Sequence, residues 1–344
     1  SAPRRWCGVG GNLLKGLDEQ IASIYAPIRD ELRLVEDRLR GLAQTERPYL
    51  EPLLDYVMTN GGKRLRPAIT LLAADFYDHQ PENPRIMASA VELLHVATLI
   101  HDDTVDNSDL RRGKPTVSHL YGQHVAVLFG DYVFATSATF VCDTGNVRVI
   151  RRFSETIMDL ASGQLIEYFS AFDAEQARKL YDERIYRKTA SLFQTSAETG
   201  AILGGAPERQ IQALKTYGHD IGMAFQIMDD LLDVQGSALE MGKPVGNDLL
   251  QGVLTLPTIK LLERYPNDNP VLDLFKDKDT ETVNQEGKVQ QALDMINDSS
   301  IIEECYSVIQ RYCDTASQAL EILPDCAARR SLLDICCYTR ERSH

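Results

Sequence analysis

The chain has 344 residues, 44% of them apolar, which is enough for a sizeable core and excludes global disorder. Its formal net charge of −14 argues against nucleic acid or an anionic membrane surface as the main partner, since either would call for a basic face. An anionic ligand would have to find its cations concentrated locally, and two segments qualify: Gly61-Gly62-Lys63-Arg64-Leu65-Arg66 and Arg111-Arg112-Gly113-Lys114.

In chain order, residues 1–12 hold Arg4 and Arg5 among glycines without the apolar stretch of a signal peptide, and are expected to be a flexible tail. Helical periodicity begins near Leu13, and residues 13–344 are expected to form one domain. Leu32, Val35, Leu39 and Leu42 keep the three-to-four spacing of a buried stripe. Residues 50–58 repeat it before the Gly61-Gly62 break, and Pro67 suits the first turn of a helix over 68–76. Pro81 and Pro84 mark a loop, then a long apolar helix runs into Asp102. Further helices are expected over 117–141, 147–171, 174–204 and 207–235. Residues 236–252 read as a Gly- and Pro-rich loop, 257–264 as a helix, and 268–286 as a charged surface excursion, with helices resuming from Lys288. No alternating pattern of β-strands stands out, so the fold class is all-α, a single-domain helical bundle. The longest apolar run, 88–100, is interrupted by Glu92 and His95, so no transmembrane helix is expected. The seven cysteines show no CxxC pair and no regular spacing, which predicts reduced thiols and a cytoplasmic location.

Two acidic segments of the same shape carry the chemistry: Asp102-Asp103-Thr104-Val105-Asp106 and Asp229-Asp230-Leu231-Leu232-Asp233. Residues four apart share a helix face, so Asp102 stacks with Asp106 and Asp229 with Asp233, a repulsive arrangement unless a cation sits between them. Oxygen ligands without nearby Cys or His suit Mg²⁺, which keeps its waters and shares substrate phosphates. Arg111 and Arg112 follow the first segment, and arginine matches phosphate oxygens bidentately. Lys63 and Arg66 flank a helix start, where exposed N–H groups attract anions. Taken singly, the other candidates are bland. His95 lies in an apolar stripe, as a satisfied core histidine would; Lys188-Thr189 would pass for surface; Gln226 shares a face with Asp229; Lys243 sits in a loop able to close over a ligand. There is no nucleotide-binding phosphate loop and no nucleophile–histidine pairing.

Together these segments resemble the trans-isoprenyl diphosphate synthase (polyprenyl synthetase) family over roughly residues 15 to 340. The match is carried by Gly-Gly-Lys-Arg-Leu-Arg-Pro at 61–67, the two DDxxD segments, Arg-Arg-Gly-Lys-Pro-Thr at 111–116, Gly163-Gln164, Lys188-Thr189, Phe225-Gln226 and Gly246-Asn247-Asp248-Leu249. The resemblance implies a helical isoprenoid synthase fold around a deep central cavity, usually a homodimer. It implies head-to-tail condensation of isopentenyl diphosphate with an allylic diphosphate, and a lipid product delivered to a membrane. It assigns Asp102, Asp106 and Asp229 to Mg²⁺, with Asp103, Asp230 and Asp233 in support. Arg111, Lys188 and Lys243 go to the allylic diphosphate, and Lys63, Arg66, His95 and Arg112 to isopentenyl diphosphate. Thr189 and Gln226 go to the reacting centre. One departure is Val253, where relatives often carry a lysine; one diphosphate contact is expected to be missing.

Short-chain members of the family resemble one another in placing aromatics four or five residues before the first Asp, as a cavity floor. Here those positions hold Thr98 and Ala97, so the tunnel is expected to run on past Leu94, Val91 and Met87, closed further down by Tyr168 or Phe169. That predicts a product of C25 or longer. The alternatives are a short-chain (farnesyl or geranylgeranyl) synthase, a terpene cyclase, or a non-catalytic partner subunit.

Overall fold

The computed structural model describes residues 19–44, 47–59, 62–235, 245–267, 269–276 and 282–341. The expected tail at 1–12, and Gly61, lie outside them. The helices are α1 (Arg29–Gly41), α2 (Glu51–Thr59), α3 (Leu65–Ala74), α4 (Glu82–Val105), α5 (Val117–Tyr121), α6 (Gln123–Asp143), α7 (Val147–Ser170), α8 (Ala174–Ile185), α9 (Ser191–Leu203), α10 (Glu208–Gln235), α11 (Asn247–Leu250), α12 (Leu256–Arg264), α13 (Pro270–Lys276), α14 (Thr282–Asn297), α15 (Ile301–Ala319) and α16 (Ala327–Glu341). Several begin on a side-chain cap that relieves orphaned N–H groups: Thr116 for α5, Asn146 for α7 and Asp173 for α8.

The long helices α4 and α10 form the centre. Helix α4 packs along α6 and α3, and α10 along α9 and α15. Most buried apolar side chains join one core. A second, separate apolar cluster gathers Met87, Val91 and Leu94 of α4 with Phe153 of α7, Val141 of α6 and Leu192 of α9. Helix α9 sits so close to α3 that a Cβ at Gly200 would run into the carbonyl oxygen of Thr70.

The structure corrects several sequence expectations. The helix after the Gly-Gly break starts at Leu65, before Pro67. The expected 117–141 helix breaks at Gly122, whose φ is 85°. The 174–204 helix contains a π-helical turn at Tyr186–Ala190, an irregularity that periodicity does not register. A two-stranded hairpin, β1 (Leu110–Arg111) and β2 (Lys114–Pro115), turns through Arg112 and Gly113. The stretch read as a loop over 236–252 contains α11. The stretch read as a surface excursion over 268–286 contains α13, with Val271, Leu274 and Phe275 buried, and the start of α14. Charge at the flanks masked a short apolar face. Helix α6 is also long and apolar enough to cross a membrane by composition alone, against expectation. One of its faces, with Phe129, Val133 and Val141, is buried in the fold.

Gly200→Val should destabilise the protein by about 1–3 kcal/mol in urea unfolding, through overpacking at the α3–α9 contact. Gly287→Ala, where an added Cβ meets nothing within 4 Å, should be neutral or slightly stabilising.

Candidate active site

The C-terminal end of α4 presents the first acidic segment. Asp102 is buried enough that desolvation raises its pKa to about 6; Lys188 opposes the shift, while Asp106 and Glu167 add to it. Lys188 comes from the π turn and bonds Glu167 of α7 at 2.5 Å. Burial works against the lysine's charge, but Glu167 and Asp102 hold its pKa above the ordinary value. Asp103 is engaged separately: Arg111 of the hairpin donates from Nε to both its oxygens at 2.8 Å, with Nη2 also at 2.8 Å from Oδ1.

The second acidic segment lies on α10, linked to the same π turn. The Thr189 hydroxyl donates to Gln226 at 2.5 Å, the Gln226 amide donates to Asp230 at 2.8 Å, and the Tyr181 hydroxyl donates to Asp230 at 2.7 Å. Burial lifts Asp230 to a pKa of about 6, with Arg184 opposing. Asp233 is pushed up further still by burial and by Asp248, against backbone N–H bonds from Asp248 and Asn247. Val253, at the departure from the expected lysine, is half-buried and donates its N–H to the Asp248 carbonyl at 2.9 Å.

Beside these carboxylates opens a cavity of about 670 Å³ with a cationic wall of Lys63, Arg64, Arg66, Arg111, Arg112 and Lys114. Lys63 is held twice: its carbonyl accepts from the Tyr25 hydroxyl at 2.8 Å, and its Nζ donates to the Tyr338 hydroxyl at 2.7 Å. The Arg66 guanidinium lies 4.3 Å from the Phe193 ring centroid. Gly62 makes room for Arg112, since a Cβ there would sit 2.6 Å from its Nη1. His95 lines the cavity; burial and the surrounding Arg66, Arg112, Arg111 and Arg64 push its pKa well down, so it is neutral. The rest of the wall is apolar, including Val96, Leu99, Ile100 and Phe225.

A cationic cavity next to clustered carboxylates, of which Asp103, Asp230 and Asp233 are buried, is a site for anions on one side and for a cation on the other. Comparison with known proteins agrees. The family model described as "Polyprenyl synthetase" matches residues 47–296. The chain belongs to the polyprenyl synthetase family. It is 35% identical over 325 residues to a heptaprenyl diphosphate synthase component 2 from Geobacillus stearothermophilus, covering 94% of this chain and 100% of the relative. Among solved structures, a decaprenyl diphosphate synthase from Rhodobacter capsulatus is 34% identical with a TM-score of 0.85, covering 93% of this chain and 98% of that one. A polyprenyl synthase from Caulobacter crescentus, complexed with calcium and isoprenyl diphosphate, is 28% identical with a TM-score of 0.86, covering 94% and 98%. Geranylgeranyl pyrophosphate synthases share the same fold.

In this polyprenyl synthetase the residues singled out from sequence fall into three groups. Lys63, Arg66, His95, Asp103, Arg111 and Arg112 share the cavity, and Asp103 is paired there with Arg111. Asp102, Asp106 and Lys188 sense one another's charge, and Thr189, Gln226 and Asp230 form one bonded chain. Lys243 lies outside the described residues. Among the described residues no group of three carboxylate, thiol or imidazole side chains is already gathered as a metal site. The donor set still fits a divalent ion. It is all oxygen, and burial makes the charged forms of Asp102 and Asp230 costly, a cost that a bound cation would offset.

Ala97 is buried and Thr98 half-buried, its hydroxyl donating to the His95 carbonyl at 2.8 Å. Leu94, Val91 and Met87 are fully buried in the second apolar cluster, Ala97 belongs to the main core, and none of them lines the cavity. Tyr168 and Phe169 do not join that cluster. They are 69% and 72% exposed and meet edge to face with centroids 5.3 Å apart, because they fall on the outer face of α7; Phe153, on its inner face, occupies the cluster instead. Sequence reasoning also missed Glu167, one turn beyond Gly163-Gln164, which helix arithmetic reaches. Tyr25, Tyr181 and Tyr338 carry no local signal, since only the tertiary fold brings them to their partners.

In metal-free protein the raised pKa values of Asp102, Asp230 and Asp233 set the sign of a pH effect. The folded state holds these protons more tightly than the unfolded chain, so their contribution is fully present below about pH 4 and is lost as the pH rises through 6 and beyond. The melting temperature of chelator-treated protein should therefore fall from pH 5 to pH 8.5, and Asp233→Asn should flatten the alkaline part of the curve.

Proposed function

We propose that this chain is a long-chain trans-polyprenyl diphosphate synthase, joining isopentenyl diphosphate head-to-tail to an allylic diphosphate. The observation that carries the reading is a cationic cavity next to the acidic segment at the end of α4, with the Asp103–Arg111 ion pair joining the two. The cavity offers a direct site for one diphosphate; the carboxylates, with Lys188 beside Asp102, would take a second through a bound cation. A terpene cyclase has use for the second only.

Lys63, Arg66, Arg112 and neutral His95 hold isopentenyl diphosphate, His95 as a hydrogen-bonding group without charge. Arg111, Lys188 and Lys243 grip the allylic diphosphate, and Asp102, Asp106 and Asp229 take Mg²⁺, supported by Asp103, Asp230 and Asp233. Bound Mg²⁺ supplies Lewis-acid stabilisation of the charge that builds on the departing diphosphate. Leaving of diphosphate makes an allylic cation, which the apolar wall of Val96, Leu99, Ile100 and Phe225 shields from water. Thr189 and Gln226, fixed by their mutual hydrogen bond, hold polar oxygens at the reacting centre. The isopentenyl double bond attacks, and the released diphosphate accepts the proton then lost. Val253 leaves substrate binding one cation weaker than in relatives with lysine.

Product length follows from α4. Below Asp102 each turn descends about 5.4 Å, on the order of one isoprene unit. Small Ala97 and Thr98 leave the upper turns open, and the apolar cluster at Leu94, Val91 and Met87 receives the growing chain until Phe153 stops it. We assign a product of C25 or longer, made in the cytoplasm and handed to a membrane. The six described cysteines, all free, suit that compartment.

The same fold supports a homodimer. Leu128, Ala135 and Thr139 on α6, and Met158, Ala161, Leu165 and Tyr168 on α7, form exposed stripes at heptad-like spacing, and only 33% of the apolar window of α6 is buried. A second copy presenting the same two helices would cover both stripes.

Purified protein given Mg²⁺, labelled isopentenyl diphosphate and farnesyl diphosphate should extend the primer beyond C20. Absence of incorporation with any primer would remove the synthase reading. Ala97→Phe should shorten the product and Phe153→Ala lengthen it, and unchanged distributions in both would dismiss the tunnel. Leu128→Glu combined with Met158→Glu should convert a dimer to a monomer in sedimentation. A wild-type monomer active only with a second polypeptide would instead make the chain one component of a heteromeric enzyme.

A further inference from the structure

The buried ion pair between Arg64 and Glu92 belongs to neither diphosphate site as described, although both residues line the cationic cavity. Arg64 Nη1 lies 2.5 Å from Glu92 Oε1, and both side chains are almost fully buried. Arg64 caps the start of α3 in the left-handed region, with φ 53°, which is uncommon for a residue with a side chain. Its Nη2 also donates to the Met58 carbonyl at 3.2 Å, near the end of α2. Glu92 sits one turn before His95 on α4. Glu36 of α1 approaches from the other side, 3.9 Å from Arg64 Nε.

We infer that the Arg64–Glu92 pair is a positioning device for the isopentenyl diphosphate site, an inference that rests on the function proposed above. Arg64 is the residue between Lys63 and the Leu65-Arg66 turn, so its backbone conformation sets the directions in which Lys63 and Arg66 leave the chain. Glu92 fixes that conformation from α4, the helix that supplies His95. Three substrate-facing groups, two from the turn into α3 and one from α4, are thereby locked to one ion pair. A buried carboxylate beside an anion site has an electrostatic disadvantage, because it repels the substrate it helps to bind. If Glu92 acted by charge alone, neutralising it would tighten binding. If it acts by holding Arg64, neutralising it must weaken binding.

The test is the full-length Glu92→Gln protein in steady-state assays varying each substrate in turn. The expected result is a KM for isopentenyl diphosphate raised roughly ten- to a hundredfold, as misplacement of binding groups produces, with the allylic KM unchanged and kcat within about twofold. Arg64→Lys, which keeps the charge but loses the fork, should shift the same constant in the same direction. A lowered or unchanged KM for isopentenyl diphosphate overturns the inference, and so does a parallel rise of both constants, which a merely loosened fold would give. Should Glu92→Gln fail to fold, Glu92→Asp takes its place and should raise the isopentenyl constant alone by a smaller factor. Wild-type protein that never incorporates isopentenyl units removes the functional reading itself. Wild-type turnover with an insensitive Glu92→Gln constant removes only the brace.

Discussion

Separation of charge inside an acidic chain is the constraint on which the rest of this structure depends. With a net charge of −14, the protein still gathers six cationic side chains on the wall of one cavity, and of the two acidic segments Asp103 alone lines that cavity. The Asp103–Arg111 pair joins the two sets, matching one member of each with an opposite charge. Substrates carrying diphosphates then supply the charge that the cavity lacks, and a divalent ion supplies what the aspartates lack. Binding and electrostatic relief become the same event.

Helix irregularity is what aims the groups. A regular α-helix through 186–190 would rotate Lys188 and Thr189 away from the positions they now take, one towards Glu167 and Asp102, the other towards Gln226. The π turn sends Lys188 towards the first acidic segment and Thr189 towards the second, and Gly163 of α7 is small because the backbone at Lys188 passes against it. Close approach, insertion of an extra residue in the turn and placement of the lysine are one structural fact. Its cost in helix regularity is met by the buried hydrogen-bond chain from Thr189 through Gln226 and Asp230 to Tyr181.

Much of this was legible in the sequence, and for definite reasons. Asp102, Asp106, Lys63, Arg66 and Arg111 announce themselves because charge at helical spacing beside apolar runs has few structural uses. The helices α4, α7 and α10 could be read because each keeps one period over many turns. What could not be read was anything decided by a partner distant in sequence. Tyr338 reaches Lys63 from the far end of the chain, Tyr25 from the near end, and neither has a local pattern. Tyr168 and Phe169 were misplaced for a related reason. Periodicity separates two faces of α7 but does not say which one looks inward until Gly163, Thr156 and Phe153 are seen packed against the bundle.

The inward face of α7 bears on product length, because product length is not a property of this fold. Enzymes named for geranylgeranyl products and for decaprenyl products superpose on the chain equally well. The difference must lie in side chains that leave the backbone unmoved, and the second apolar cluster is where such side chains are concentrated. Met87, Val91 and Leu94 sit at successive turns of α4, on the same side, below a residue with almost no side chain at 97. Filling any of those levels would change volume in a cluster where α4 meets α6, α7 and α9, without touching a charged group. Helix α4 is anchored at its acidic end by Arg111 and near mid-length by Arg64, so its register does not rest on the packing of that cluster alone. On the function proposed above, chemistry and product length are then held by different residues of one helix, which leaves the second free to vary while the first stays fixed.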